Sequence, residues 1–164
     1  MTERNISFRY YEVSTLSDLP EDEQKLVERA RIMCDRAYAP YSAFYVGAAI
    51  LLENGQVVEG SNQENGAYPS GLCAERVAAF AASANYPRVA MKKIAISARS
   101  NRLEIHEPVS PCGACRQVLL EYESSQDSPM KVLLAKEEGK ILVIEGVRDL
   151  LPLSFLGNGL KRSV

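Results

Sequence analysis

The sequence has no run of basic residues, no internal repeat, no low-complexity linker, and no apolar stretch near the roughly 18 residues of a membrane-spanning helix. Each absence removes a class of function. Nineteen lysines and arginines against 21 aspartates and glutamates leave a formal net charge of -2, so the electrostatic footprint of a polynucleotide binder is missing. Met1-Thr2-Glu3-Arg4-Asn5 leads into polar sequence and not into an apolar h-region. The expectation is a cytoplasmic protein with neither a membrane nor a nucleic-acid polymer among its partners. At 46% hydrophobic and 24% charged residues over 164 positions, the chain affords one compact core, and a single domain over residues 1–164 is expected.

Cysteine is scarce and histidine occurs once. In a reducing cytosol, Cys34, Cys73, Cys112 and Cys115 are poor candidates for structural disulfides, which leaves metal ligation, redox chemistry or burial.

What is present is alternating and helical apolar patterning. Ile6, Phe8, Tyr10 and then Tyr11 and Val13 suggest a short N-terminal strand. Glu21 to Ala37 carries a stripe of Leu26, Ala30, Met33 and Ala37 behind three acids, an amphipathic helix that Ala39-Pro40-Tyr41-Ser42 breaks. Val46 to Leu52 and Val57-Val58 flank Asn54-Gly55, the favoured centre of a two-residue hairpin turn. The Ala-rich stretch Cys73 to Ala84 predicts a helix that packs closely against a neighbour. A strand over Lys93 to Ala98, a helix over Cys112 to Tyr122, strands over Val132 to Ala135 and Ile141 to Glu145, and a helical turn near Val147 to Leu151 complete an α/β pattern with a mixed sheet.

Cys112-Gly113-Ala114-Cys115, after Pro111, fits either a thioredoxin-like redox pair or half of a metal site. Cys73 favours the second, because it too lies where a loop becomes a helix. The first turns of two helices then present three thiolates to one metal ion and leave a tetrahedral position open, as in catalytic zinc sites. The candidates for a closing fourth ligand are weak: Cys34 lies on the apolar stripe of the first helix, and His106 in a polar loop segment. Glu75, two positions after Cys73, stands beside such a metal without ligating it and is placed to move protons between water and a substrate. Three thiolates around Zn²⁺ leave a net charge of -1, which helix N-termini and Arg76 would offset, with Arg116 as a second candidate.

Cys73-Ala74-Glu75-Arg76 followed by Pro111-Cys112-Gly113-Ala114-Cys115-Arg116-Gln117 closely resembles the paired signature of the cytidine deaminase family, in its homotetrameric class with three cysteine ligands. Tyr38-Ala39-Pro40-Tyr41-Ser42 with Phe44 and Val46-Gly47-Ala48-Ala49, then Asn62-Gln63-Glu64-Asn65, then Leu150-Leu151-Pro152-Leu153-Ser154-Phe155 resemble further family segments in the same order. The resemblance spans about Glu21 to Phe155 and makes residues 1–18 an N-terminal extension.

The resemblance implies a three-layer α/β/α fold with a mixed five-stranded sheet, to which the extension adds a possible strand. It also implies one zinc ion per chain, a homotetramer, and deamination of cytidine and 2′-deoxycytidine to the uridines in pyrimidine salvage. Asn62 and Glu64 would hold the ribose 3′-hydroxyl, Phe44 would line the base pocket, and Ala74 and Tyr68 would touch substrate. Phe155 would reach a neighbouring subunit's site. Gly66 to Leu72 keeps the family's spacing but departs in identity, so a modified cytosine nucleoside is an alternative substrate. A noncatalytic zinc-binding module is the alternative outside enzymes.

Overall fold

The computed structural model describes residues 1–126, 128–157 and 160. In chain order its regular elements are β1 (Tyr10–Val13), α1 (Glu21–Cys34), β2 (Phe44–Leu52), β3 (Val57–Ser61), α2 (Ala74–Asn85), β4 (Met91–Ser100), α3 (Gly113–Gln126), β5 (Lys131–Ala135) and β6 (Ile141–Ile144). Short 3₁₀ turns lie at Leu16–Asp18, Tyr68–Ser70 and Val147–Leu150.

The strands form one mixed sheet in the order β1-β6-β5-β4-β2-β3. Only β4 and β5 run parallel among its pairs, and a parallel pair needs a crossover, which α3 provides. Successive strand residues face opposite ways. Ala49, Ala95 and Leu133 therefore pack with Leu26, Val27 and Ala30 of α1 on one face. Ala48, Ile50, Ile94 and Ile96 pack with Ala78, Ala79 and Ala82 of α2 and Leu119 and Leu120 of α3 on the other. The result is the expected α/β/α layering, with five strands plus the N-terminal one.

Two glycines let the helices press onto the strands. A Cβ on Gly47 would lie 2.0 Å from the Ala30 carbonyl oxygen of α1, and one on Gly60 would lie 2.5 Å from both the Ala74 oxygen and the Ala78 nitrogen of α2. The close neighbour that the Ala-rich helix needs is therefore the backbone of β3.

The boundaries differ from the sequence reading in instructive places. The first helix ends at Cys34 and not at Ala37, because the Tyr38 backbone is used elsewhere: its N–H donates to Asn62 O (3.0 Å) and its carbonyl accepts from Glu64 N (2.8 Å). β4 extends beyond Lys93–Ala98 because β2 pairs along its length, from Phe44↔Ser100 onward. Of the alternating N-terminal segment only Tyr10–Val13 joins the sheet, antiparallel to β6, and its first three residues remain exposed.

Candidate metal centre and adjoining cavity

Cys73 caps the N-terminus of α2, Cys112 immediately precedes α3, and Cys115 lies in the first turn of α3. Their sulfurs all lie within 4.8 Å of one another, with Cys73 Sγ 3.9 Å from Cys112 Sγ and Cys112 Sγ 3.5 Å from Cys115 Sγ. Three sulfurs at zinc–sulfur distances of about 2.3 Å in a tetrahedral shell stand ~3.8 Å apart. The trio fits zinc, and its members are free thiols without disulfide pairing. Among the described residues this is the cluster that could hold a metal ion.

The electrostatics agree with a cation there. The Cys73 thiol is pulled down to about 5, first by the hydrogen bond from Cys115 and then by Arg76 and Cys112. The same contact with Cys73, together with burial, pushes Cys115 upward. Arg76 Nη2 also donates to Cys73 Sγ at 3.6 Å, the compensating contact anticipated from the sequence. Arg116 plays no such part. Its Nε donates to Pro111 O and its Nη1 to Leu150 O, each at 2.8 Å, so it ties the C-terminal segment to the start of α3.

Glu75 is buried in the first turn of α2, and its Oε2 has no hydrogen-bond partner among the described residues. Burial is the chief reason that its carboxyl is shifted above the usual range. A buried carboxylate oxygen without a donor is costly, and Glu75 lines a cavity of about 810 Å³ that also reaches Cys73 and Cys112.

Phe44, Asn62, Glu64 and Tyr68 line that same cavity. Asn62 follows β3 and bridges it to β2: its Oδ1 accepts from Val46 N (2.7 Å) and its Nδ2 donates to Phe44 O (2.9 Å). Each end of the amide keeps one further hydrogen-bonding valence. Glu64 Oε2 accepts from Tyr41 N (2.8 Å) and Ser42 N (3.3 Å), and Oε1 accepts from Ser42 Oγ. The Ser42 hydroxyl, followed by the two backbone donors, holds the Glu64 carboxyl below the usual carboxylate range. Tyr68 is exposed and meets Tyr41 edge-on at 5.9 Å.

Other anticipated residues fall outside the cavity lining. Ala74 is fully buried in the core formed by α2 and β3. Phe155 is 67% exposed, held through its carbonyl by Gln117 Nε2 at 3.1 Å. Cys34 is buried, with its Sγ against Ser97 O at 3.4 Å, and His106 is exposed near Glu104. Neither joins the sulfur trio. The contacts of Tyr41 and Ser42 with Glu64 were not visible in sequence. The one signal was a polar serine between an aromatic residue and the start of a strand, and it names no partner 22 residues away.

A family model described as the cytidine and deoxycytidylate deaminase zinc-binding region matches residues 20–127. The chain is 41% identical to a cytidine deaminase of Sporosarcina psychrophila over 134 residues, 82% of this chain and 91% of that protein. It is 42% identical to one of Halalkalibacterium halodurans over 134 residues, 82% of this chain and 94% of that protein. The crystal structure of cytidine deaminase from Burkholderia pseudomallei superposes with a TM-score of 0.70 at 38% identity, covering 84% of this chain and 100% of that one. That from Mycobacterium tuberculosis superposes with a TM-score of 0.64 at 31% identity, covering 84% and 99%.

Proposed function

Since the chain belongs to the cytidine and deoxycytidylate deaminase family, we propose that it hydrolyses the exocyclic amine of cytidine and 2′-deoxycytidine, giving uridine or 2′-deoxyuridine and ammonia, a step of pyrimidine salvage. The observation that carries this reading is the buried Oε2 of Glu75, without a partner among the described residues, on the wall of a cavity that also reaches Cys73 and Cys112 of the sulfur trio.

Cys73, Cys112 and Cys115 would hold one zinc ion per chain. When bound, zinc supplies the Lewis acidity that makes water a competent nucleophile near neutral pH. The remaining work falls to side chains. Glu75 accepts the proton of the attacking water, passes it to N3 of the cytosine ring, and delivers a second proton to the departing amine at C4. Water adds one oxygen and two hydrogens, and ammonia leaves, so the reaction balances without a further reactant. Arg76, donating to Cys73 Sγ, offsets the charge that three thiolates concentrate at one point.

On the wall of the same cavity Asn62 and Glu64 would grip the ribose 3′-hydroxyl. The anionic Glu64 can only accept, and the spare valences of Asn62 complete a two-point contact. Phe44 would pack on the base and Tyr68 would border the nucleoside, while Ala74 would contribute through its backbone at the start of α2. Phe155 projects into solvent from the tail that Arg116 and Gln117 secure. Its exposure suits insertion into a neighbouring subunit's cavity in a homotetramer. The chain is read as one cytoplasmic domain over residues 1–164 with residues 1–18 as its extension.

The test is Glu75→Gln, assayed for ammonia release from cytidine on protein of known zinc content. Turnover is expected to fall by about 10³-fold or more while zinc and fold remain. Near-normal kcat in a zinc-replete variant would overturn the mechanism.

A further inference from the structure

We propose that Ser42 is a positioning residue for substrate binding, holding the Glu64 carboxylate as a fixed acceptor for the sugar hydroxyl and locking it to the backbone of Phe44. The inference rests on the reading that Glu64 binds ribose.

Its basis is a closed chain of hydrogen bonds on one tight turn. Ser42 Oγ accepts from Phe44 N at 3.0 Å and donates to Glu64 Oε1. The opposite carboxylate oxygen receives the N–H groups of Tyr41 and Ser42. Both Glu64 oxygens are therefore oriented by two adjacent residues, and the Ser42 hydroxyl is itself fixed by the backbone of Phe44, another residue of the cavity wall.

The turn that brings these donors together carries a strained residue. Ala43 has φ 53°, in the left-handed region that a residue with a Cβ rarely adopts. It persists because its surroundings over-determine it. Ala43 N donates to Ala39 O (3.1 Å), and Ala43 O accepts from Ser100 Oγ (3.1 Å) and Asn101 N (3.3 Å). Strain of this kind collects at ligand clamps, where pre-organisation is needed. Here it turns the chain so that Tyr41, Ser42 and Phe44 address Glu64 and the cavity together. Losing the Ser42 hydroxyl leaves the carboxylate held through Oε2 alone, with Oε1 no longer fixed toward the sugar, and the cost appears in binding rather than in proton transfer at Glu75.

The experiment compares Ser42→Ala, Ser42→Thr and Glu64→Gln with cytidine and with 2′,3′-dideoxycytidine, which lacks the gripped hydroxyl. Melting temperature and zinc content are measured alongside. Ser42→Ala is expected to raise KM for cytidine about tenfold with kcat within about twofold, the loss of one charge-assisted hydrogen bond. KM for 2′,3′-dideoxycytidine should not change, and Ser42→Thr, which keeps the hydroxyl, should restore most of the cytidine KM. On a Glu64→Gln background, Ser42→Ala should add little, because the two act as a unit.

If Glu64→Gln raises the cytidine KM but Ser42→Ala does not, or if their effects simply multiply, the proposal falls and the ribose reading stands. Equal losses on both substrates, or no recovery in Ser42→Thr, would likewise reduce Ser42 to a structural role and overturn it. If Glu64→Gln leaves the cytidine KM unchanged, the ribose reading fails and takes the proposal with it.

Discussion

Replacing Gly60 with alanine should damage catalysis more than it damages the fold. The new Cβ would lie 2.5 Å from Ala74 O and Ala78 N and 3.0 Å from the Ala78 Cβ. Ordinary contact begins at 3.4 Å, so the first turn of α2 must retreat from β3 by about 0.9 Å. Overpacking of this kind typically costs ~1–3 kcal/mol, which in a chain of this length is a fall of roughly 2–12 °C in Tm. That turn also carries Cys73 at its cap and Glu75 within it. A displacement near 1 Å at reacting groups costs on the order of 10²-fold in rate.

Gly47→Ala is the contrasting perturbation. Its Cβ would lie 2.0 Å from Ala30 O and 2.7 Å from Cys34 N, a worse clash, but the helix it displaces is α1, which carries none of the proposed site residues. The assay is ammonia release from cytidine per folded, zinc-loaded chain, with Tm by calorimetry. Gly47→Ala should lose more stability and Gly60→Ala more kcat. A Gly60→Ala protein that retains full kcat, or a pair whose kcat falls in order of lost stability, would refute the claim that the packing of β3 against α2 positions the site.

Two further predictions follow from charge and assembly. Lys93 Nζ, 2.6 Å from Asp22 Oδ2, holds the Asp22 carboxyl below its ordinary value. A carboxyl depressed on folding stabilises above its unfolded pKa and stops doing so as pH falls through the folded one. Asp22→Asn should therefore cost a few tenths of a kcal/mol in urea unfolding at pH 7, shrinking between about pH 5 and 3; a constant deficit would contradict it. For Phe155, mixing an inactive Glu75→Ala chain with a folded, impaired Phe155→Ala chain should recover part of the activity through sites built from two chains. No recovery under demonstrated subunit exchange would rule out a shared site.

The parts legible in sequence were those with a local signature. Helices and strands announced themselves by period, the hairpin by Asn54-Gly55, and the sulfur trio by thiols at loop-to-helix junctions. What stayed hidden depended on residues far apart in the chain. Strand order, the docking of α1 and α2 against Gly47 and Gly60, and the clamp of Ser42 on Glu64 all arise from tertiary pairing. Arg116 shows the limit: adjacency to Cys115 suggested a thiolate partner, yet the guanidinium finds the carbonyls of Pro111 and Leu150, since helix geometry and not chain adjacency decides where a side chain points.

The sulfur trio spans two helices on one face of the sheet. Cys73 caps α2, which packs on the β2–β3 hairpin, whereas Cys112 immediately precedes α3 and Cys115 lies in its first turn, and α3 follows β4 and leads into β5. α2 and α3 touch one another less extensively than α2 touches β3, so a bound ion would act as a cross-link between Cys73 and Cys112, 39 positions apart in the chain. Treated as a loop closure, such a link is worth ~4 kcal/mol in chain entropy. Without the cation, Arg76 still donates to Cys73 Sγ at 3.6 Å. Removing zinc with a chelator under reducing conditions should nonetheless lower Tm by roughly 8–16 °C, with readdition of zinc restoring it. The same treatment of Cys112→Ala should change little, because that variant has already lost the link. A wild-type chain whose Tm is indifferent to chelation, with loss of zinc verified by elemental analysis, would show that the helices hold the sulfurs together unaided and that the metal serves chemistry alone.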